Sequence, residues 1–406
     1  MARIAVLSYH TSPLAQPGTG DGGGMNVYVR ELSTALARLG HDVDVYTRRS
    51  DPHQRHTIDV EPGFRVRNVT AGPPRALARE ELPLYVDEFA DAVAAKFRCG
   101  ETPEAVHANY WLSGLAGHRL KHEFEIPLIS TFHTLEHVKA ETFEPESADR
   151  AAEEHRIIGC SDAVLASCDV EAAQIVEHYN ADPGRVHVVP LGVEHAFFAP
   201  GHRPQARRAL GFNEATPMML FVGRLQNLKG VDLALETLIE LHRRGQKIQL
   251  AVIGGPSGPS GKTVLEGLHQ RVKQAGVIDA VTFVAPQPHE LLSTWFRAAD
   301  VTLVPSRAES FGLVALESSA CGTPVIASRV GGLMTLVDDR VNGRLLESRE
   351  PAQWANAVTW VLDDERATTL STNAVLRARE YTWRAAASEV SALSARLASA
   401  QLVTCP

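Results

Sequence analysis

The feature that most constrains this chain is a pattern that runs through it twice. A short apolar strand leads into a loop, often glycine-bearing, and then into a helix-length segment. In the first series Ile4–Leu7 reads as a strand, TSPLAQPGTGDGGG as a loop, Met25–Leu39 as a helix and His41–Tyr46 as the next strand. Further strands are expected at Val66–Val69, Val106–Ala108, Leu128–Ser130, Ala163–Ala166 and Val188–Pro190. A second series opens after Pro200. Its strands are Met219–Gly223, Ile248–Ile253, Val281–Val284, Val301–Val304 and Val325–Ser328, and its helices are Val231–Gly245, Val264–Gly276, Leu291–Ala298 and Gly312–Ala320. Strands alternating with helices predict mostly parallel sheets covered on both faces. Pro200 and Pro204 interrupt local order in a linker near Glu194–Arg203. The expected class is therefore α/β, with two Rossmann-like doubly wound domains facing across a cleft. The first spans 1–197 and the second 198–380. Residues 381–406 form a helical tail, and its packing back on the first domain is an open expectation.

Composition agrees with two cores: the chain has 406 residues and is 44% hydrophobic. A net charge of −8 gives no nucleic-acid footprint. The opening MARIAVLSYH is too short and too quickly polar for a signal peptide, and no apolar run reaches the length of a membrane span. A cytoplasmic protein is expected. Cys99, Cys160, Cys168, Cys321 and Cys405 are odd in number and show no close metal-type spacing, so reduced thiols and no bound metal are the simplest reading.

Ligands of open α/β sheets bind outside the carboxyl ends of the strands, so the loops after the strands carry the candidate residues. Gly20, Gly22, Gly23 and Gly24 precede a helix whose first N–H groups have no partner within the helix, and glycine lets a ligand come close to them. No lysine–serine pair follows, so this is not a P-loop, and the spacing is not the dinucleotide fingerprint. A plain flexible turn is the alternative. Asn26, on the first helical turn, carries an amide suited to a sugar hydroxyl. In FVGRLQNLKG, Arg224 and Lys229 follow a buried strand and could clamp a diphosphate as it leaves a sugar; an ordinary solvated pair is the alternative. In RAESFGLVALE, Glu309 precedes Phe311, Gly312 and Leu313, whose N–H groups lie near a helix start, and Glu317 follows on an otherwise apolar helix. Carboxylates accept hydrogen bonds from vicinal sugar hydroxyls. A capping role for Glu317 and a surface role for Glu309 are the alternatives, but neither explains two acids beside two cations.

ESFGLVALE, FVGRLQNLKG and CGTPVIASRVGG together resemble the nucleotide-sugar motifs of the retaining glycosyltransferases of family four, over nearly the whole chain. The resemblance implies the GT-B fold, a UDP-sugar as donor substrate, and neither a cofactor nor a metal held by an aspartate-x-aspartate motif. It assigns donor binding to Arg224, Lys229, Gln287, Glu309, Phe311, Gly312, Leu313 and Glu317. Catalysis falls to His133, Arg224, Lys229 and Glu309, with His133 beside the donor sugar; a simple core histidine is the alternative for His133. The same likeness implies same-face substitution, in which the leaving phosphate oxygen helps to deprotonate the incoming hydroxyl.

A closer resemblance lies in HTSPLAQPGTGDGGGMNVYV, HANYWLSG, HTLEHVK, GGPSGP and VPSRAESFGLVALE. It is to members that move N-acetylglucosamine from UDP-N-acetylglucosamine to 1D-myo-inositol 3-phosphate, with release of UDP, in mycothiol biosynthesis. It implies an acceptor phosphate held by Arg79, Tyr110, Thr134 and Arg150, with Gly23 and Asn26 at the polyol; Arg79 stands where those members have lysine. Without the resemblance these four would read as scattered surface residues. Asn109 replaces a histidine of that pattern, Gln287 stands where an arginine is frequent, Glu136 and His137 alter the acceptor region, and the loop after Lys139 is shorter. A sucrose-phosphate-synthase-like member with another sugar pair is therefore an alternative, as is a non-catalytic sugar-nucleotide binder. The expected partners are small-molecule substrates, with no nucleic acid and no membrane; a homodimer is left open.

Overall fold

The apolar strand cores of the sequence become the centres of two separate sheets. The computed structural model describes residues 2–20, 22–140, 148–258 and 261–405. Its first unit comprises Met1–Ala15, Met25–Gly192 and Trp383–Pro406, and its second comprises Gln16–Gly24 and Val193–Thr382. The units thus interleave along the chain, where reading by position expects contiguous stretches. The glycine loop belongs to the second unit and the segment from Trp383 to the first. Within the first unit, Trp383 packs edge-on to Tyr28, with ring centroids 6.0 Å apart, and Ser391 Oγ lies 2.8 Å from His41 Nε2.

The first sheet has eight strands: β1 Arg3–Leu7, β2 Asp42–Arg48, β3 Thr57–Glu61, β4 Phe64–Val69, β5 Ala105–Asn109, β6 Leu128–Thr131, β7 Ala163–Ala166 and β8 Val186–Val188. Their spatial order is β3-β4-β2-β1-β5-β6-β7-β8. Only β3 runs antiparallel, as one arm of a hairpin with β4. β3 has no place in the sequence reading because TIDVE has no buried residue and sits on an edge. The second sheet is parallel throughout, with β9 Met218–Val222, β10 Gln249–Ile253, β11 Val281–Val284, β12 Val301–Val304, β13 Val325–Ser328 and β14 Gly343–Leu346, in the order β11-β10-β9-β12-β13-β14. β14, at the edge of its sheet, has no counterpart among the strands expected from the sequence.

Each order reverses at one point. In the first unit the chain leaves β1 toward β2 on one side and returns to β5 on the other; in the second it leaves β9 toward β10 and returns to β12. Adjacent loops diverge at such switch points and open a crevice at the carboxyl ends of the strands. Helices cover both sheets over cores that include Phe89, Phe97 and Leu120 in the first unit and Phe221, Leu238 and Trp354 in the second.

Among the described residues, no helix is long and apolar enough to cross a membrane. The reading of five separate thiols needs correction. The sulfurs of Cys160 and Cys405, 245 residues apart, lie in contact. Sequence spacing could not reveal a pair made by the return of the chain's last residues to the first unit.

Candidate active site

In the second unit the site is built at the β9/β12 switch point. After β9 the chain passes Arg224 and forms a tight turn at Asn227–Lys229, closed by Gly230 at φ 71°. A side chain at residue 230 would collide with the carbonyl of Pro305, just beyond β12, so glycine lets the two strand exits lie side by side. Arg307 N–H donates to Leu228 O at 2.8 Å and locks them together. The result is a direct contact: Lys229 Nζ donates to Glu309 Oε2 at 2.7 Å, and Ser306 Oγ donates to the same oxygen at 3.0 Å. Both members of the ion pair remain partly exposed, with side chains 24% and 17% accessible. An ammonium carries three protons, so the bond to Glu309 does not use up its donor capacity.

Beyond Glu309 the backbone turns sharply. Gly332 N–H donates to Glu309 O at 3.1 Å, Phe311 is buried against Tyr381, and Gly312 at φ 107° opens the helix Leu313–Ala320. The first amides of that helix point back toward its start. Glu317 lies in this helix, 3% exposed. Its Oε1 is 2.6 Å from Nε2 of His289, the first residue of the helix after β11. His289, five residues past the end of β11, carries no sequence signal that sets it apart from other polar helix starts. Gln287, expected near a nucleobase, donates from Nε2 to Ala285 O at 2.9 Å.

The glycine loop belongs to the same unit. Gln16 Nε2 donates to Pro286 O at 2.8 Å, and Ser257 Oγ donates to Gly20 O at 2.9 Å. A Cβ on Gly23 would lie 3.7 Å from Arg224 Nε, and one on Gly24 would lie 3.5 Å from Leu313 Cδ1. Gly23 therefore lies beside the Arg224 guanidinium.

In the first unit the candidates gather at the exits of β5 and β6. Tyr110 directly follows β5 at φ 75°, and His133 lies two residues after β6 at φ 63°. Left-handed backbone at bulky residues is uncommon and persists where surrounding structure enforces it. His133 Nε2 lies 2.9 Å from Asn109 Oδ1. An amide oxygen only accepts, so His133 donates through Nε2, and Asn109 fixes its tautomer. The His133 ring meets Tyr28 edge-on, with centroids 4.8 Å apart. Burial, with His107 and His10 nearby, pushes its pKa down to about 3. The imidazole is thus neutral across the physiological range and serves as a hydrogen-bonding group rather than a cation. Asn109, read from the sequence only as a departure, is what orients it.

Tyr110, Thr134 and Arg150 come together. The Arg150 guanidinium sits over the Tyr110 ring, 5.0 Å from its centroid, and Nη2 donates to Thr134 O at 2.8 Å and Thr134 Oγ1 at 3.2 Å. Arg150 is also held by two buried acids. Nε donates to Glu154 Oε1 at 2.8 Å, and Nη1 lies 3.2 Å from Glu136 Oε2. No motif in the sequence marks Glu154. Arg79 is exposed on the segment before the turn at Leu82–Tyr85. Asn26 is buried, and its Nδ2 donates to Thr11 Oγ1 at 2.8 Å and Ser12 O at 2.6 Å. That amide braces the loop after β1. Most of the loop after Lys139 lies outside the described residues.

Two family models match the chain: "Glycosyl transferase 4-like domain" over residues 23–192 and "Glycosyl transferases group 1" over residues 202–380. A relative in Catenulispora acidiphila, D-inositol 3-phosphate glycosyltransferase 2, is 43% identical over 95% of this chain and 92% of its own length. The chain belongs to this glycosyltransferase family. A D-inositol 3-phosphate glycosyltransferase of Acidothermus cellulolyticus is 44% identical over 94% of this chain and 87% of its own. Among solved structures, sucrose-phosphate synthase from Thermosynechococcus elongatus matches with a TM-score of 0.89 and 34% identity, over 98% of this chain and 99% of that one. The architecture is the GT-B fold, and the protein is a glycosyltransferase. That membership gives the clustered residues a reaction class.

Proposed function

We propose that this glycosyltransferase moves N-acetylglucosamine from UDP-N-acetylglucosamine to an inositol phosphate, with retention of the anomeric configuration. The observation that carries the transfer reading is the Lys229–Glu309 contact at the β9/β12 switch point. It puts a cation suited to a leaving diphosphate and a carboxylate suited to sugar hydroxyls at one place, with a helix start immediately after. In this reading Arg224 and Lys229 meet the charge that grows on the departing UDP, and no metal takes part in the transfer. Glu317 accepts the ribose hydroxyls, and His133 contributes a neutral hydrogen bond to the donor sugar. The relatives named for D-inositol 3-phosphate support the acceptor class.

One observation favours a second reading, in which the acceptor carries no phosphate at Arg150. Glu136 and Glu154 already supply two carboxylates to that guanidinium, and a phosphate dianion would add further negative charge. Release of UDP from UDP-N-acetylglucosamine, followed with 1D-myo-inositol 3-phosphate, free inositol, fructose 6-phosphate and glucose 6-phosphate, separates the two. The first reading expects the inositol phosphate to be used far better than free inositol. Equal use would favour the second, and a clear preference for fructose 6-phosphate would move the chain toward a sucrose-phosphate-synthase-like activity.

Glu317→Gln tests the donor site. Charge-assisted hydrogen bonds are worth about 1.5–3 kcal/mol, so UDP should bind roughly ten- to a hundredfold more weakly by calorimetry. An unchanged Kd in a folded variant would remove Glu317 from the nucleotide.

A further inference from the structure

The cluster with most unexplained chemistry lies in the first unit, among residues to which the transfer reaction assigns no role. His118 and His122 stand four residues apart on the helix Trp111–Phe124, a spacing that puts both rings on one face. Cys160 ends the helix Ala148–Cys160, and Cys405 arrives from the far end of the chain. His122 Nε2 lies 3.2 Å from Cys160 Sγ and 3.0 Å from Cys405 Sγ, and His118 Nε2 lies 3.2 Å from Cys405 Sγ. All four donor atoms fall within 4.8 Å of one another.

We propose that His118, His122, Cys160 and Cys405 form a tetrahedral zinc(II) site that fastens the carboxy-terminal segment to the first unit. Two imidazoles and two thiolates are a set that structural zinc sites use, and an H-x₃-H pair on a helix fits the spacing such sites show. Zinc bonds of about 2.3 Å to sulfur and 2.0–2.1 Å to nitrogen put ligand atoms roughly 3.3–3.8 Å apart in a tetrahedron. The histidine–sulfur distances are already close to that spacing; the two sulfurs must separate as thiolates to admit the ion. A disulfide alone would account for the sulfur contact, but it gives no reason for two imidazole nitrogens to converge on it.

An independent contact brings the segment to this place. Val403 N–H donates to Asp162 Oδ1 at 2.8 Å, and Asp162 is held by the buried ammonium of Lys121, 2.9 Å away. Lys121 lies on the same helix as the two histidines, and its Nζ also donates to Cys160 O at 2.7 Å. The backbone is therefore fixed two residues before Cys405. Binding would release two protons, one from each thiol, as zinc replaces them on sulfur. The clip would close a loop of 245 residues, and cross-links across long loops remove the most chain entropy from the unfolded state.

The test uses the full chain, purified with a phosphine reductant and without chelator. Elemental analysis should find one zinc per chain, and Cys405→Ser and His122→Gln should each lose most of it while remaining folded by circular dichroism. Cobalt(II) added to the reduced, metal-stripped protein should give thiolate-to-cobalt charge transfer and tetrahedral ligand-field bands, absent in Cys405→Ser. The site would be overturned by no zinc or cobalt taken up by the reduced protein, or by metal content unchanged in both variants. Recovery of Cys160 and Cys405 only as a disulfide that excludes zinc after reduction and metal addition would also refute it.

Discussion

Lys229→Ala is expected to lower kcat for sugar transfer by about 10²–10³-fold, the usual cost of removing one preorganised donor from a developing anion. The effect on UDP binding should be clearly smaller. On the proposed reading, the diphosphate charge in the ground state would be spread and partly met by Arg224 and by the amides at the start of the helix Leu313–Ala320. In the transition state, charge collects on the leaving oxygen, and a donor that acts there stabilises the transition state more than bound substrate. The Lys229–Glu309 bond of 2.7 Å sharpens the expectation. With Lys229 gone, Glu309 keeps only the Ser306 hydroxyl among these donors, and its carboxylate then faces the diphosphate unscreened by the ammonium. Lys229→Ala combined with Glu309→Gln should therefore recover part of the loss in UDP affinity but little of the loss in kcat. Equal losses in kcat and in UDP affinity for the single variant would show uniform binding rather than transition-state stabilisation.

Much of this arrangement is legible in the sequence because the relevant signals are local. The strand Val301–Val304 is wholly buried and flanked by a loop and a helix, so its period and its bounds are plain. Lys229 and Glu309 could be placed at strand exits from sequence alone, and the β9/β12 switch point brings those exits together. What was not legible depends on contacts between distant segments. The glycine loop reads as part of the first domain, yet Gln16 and Gly20 bond to Pro286 and Ser257, placing Gly23 beside Arg224. Asn26 reads as a ligand for a hydroxyl, and the structure adds what the sequence does not show: its amide N–H groups donate to Thr11 and Ser12. His289 is indistinguishable in sequence from any polar helix start until Glu317 is found 2.6 Å away. Asn109 departs from a family pattern, and only the geometry shows that it sets the tautomer of His133. β3 and β14 are less legible for a simpler reason: both lie at sheet edges, β3 with no buried residue and β14 with Gly343 and Arg344 among its four residues, so neither shows an apolar run like Val301–Val304.

Glu136→Ala is expected to raise kcat/KM for a phosphorylated acceptor by roughly tenfold and to leave a neutral polyol nearly unchanged. Glu136 Oε2 lies 3.2 Å from Arg150 Nη1, a donor that an acceptor phosphate beside Thr134 and Tyr110 would use. Removing that carboxylate takes negative charge away from the guanidinium and so favours a phosphate there, where a charge-assisted bond is worth about 1.5–3 kcal/mol. The opposing effect is loss of order in the guanidinium. It should be the smaller one, because Nε still donates to Glu154 at 2.8 Å and Nη2 to Thr134 O at 2.8 Å. Arg150→Ala is a poorer probe. It would strand Glu136 and Glu154 in the interior, and breaking a buried pair costs about 3–5 kcal/mol of stability. Arg150→Lys keeps the charge but not the planar array of donors, so it should lower use of the phosphorylated acceptor without unfolding the chain. If Glu136→Ala leaves the preference for the phosphate unaltered while Arg150→Lys also has no effect, the phosphate does not bind at this guanidinium. Arg150, Glu136 and Glu154 then form an internal brace beneath Tyr110, and the acceptor is recognised through its hydroxyls alone.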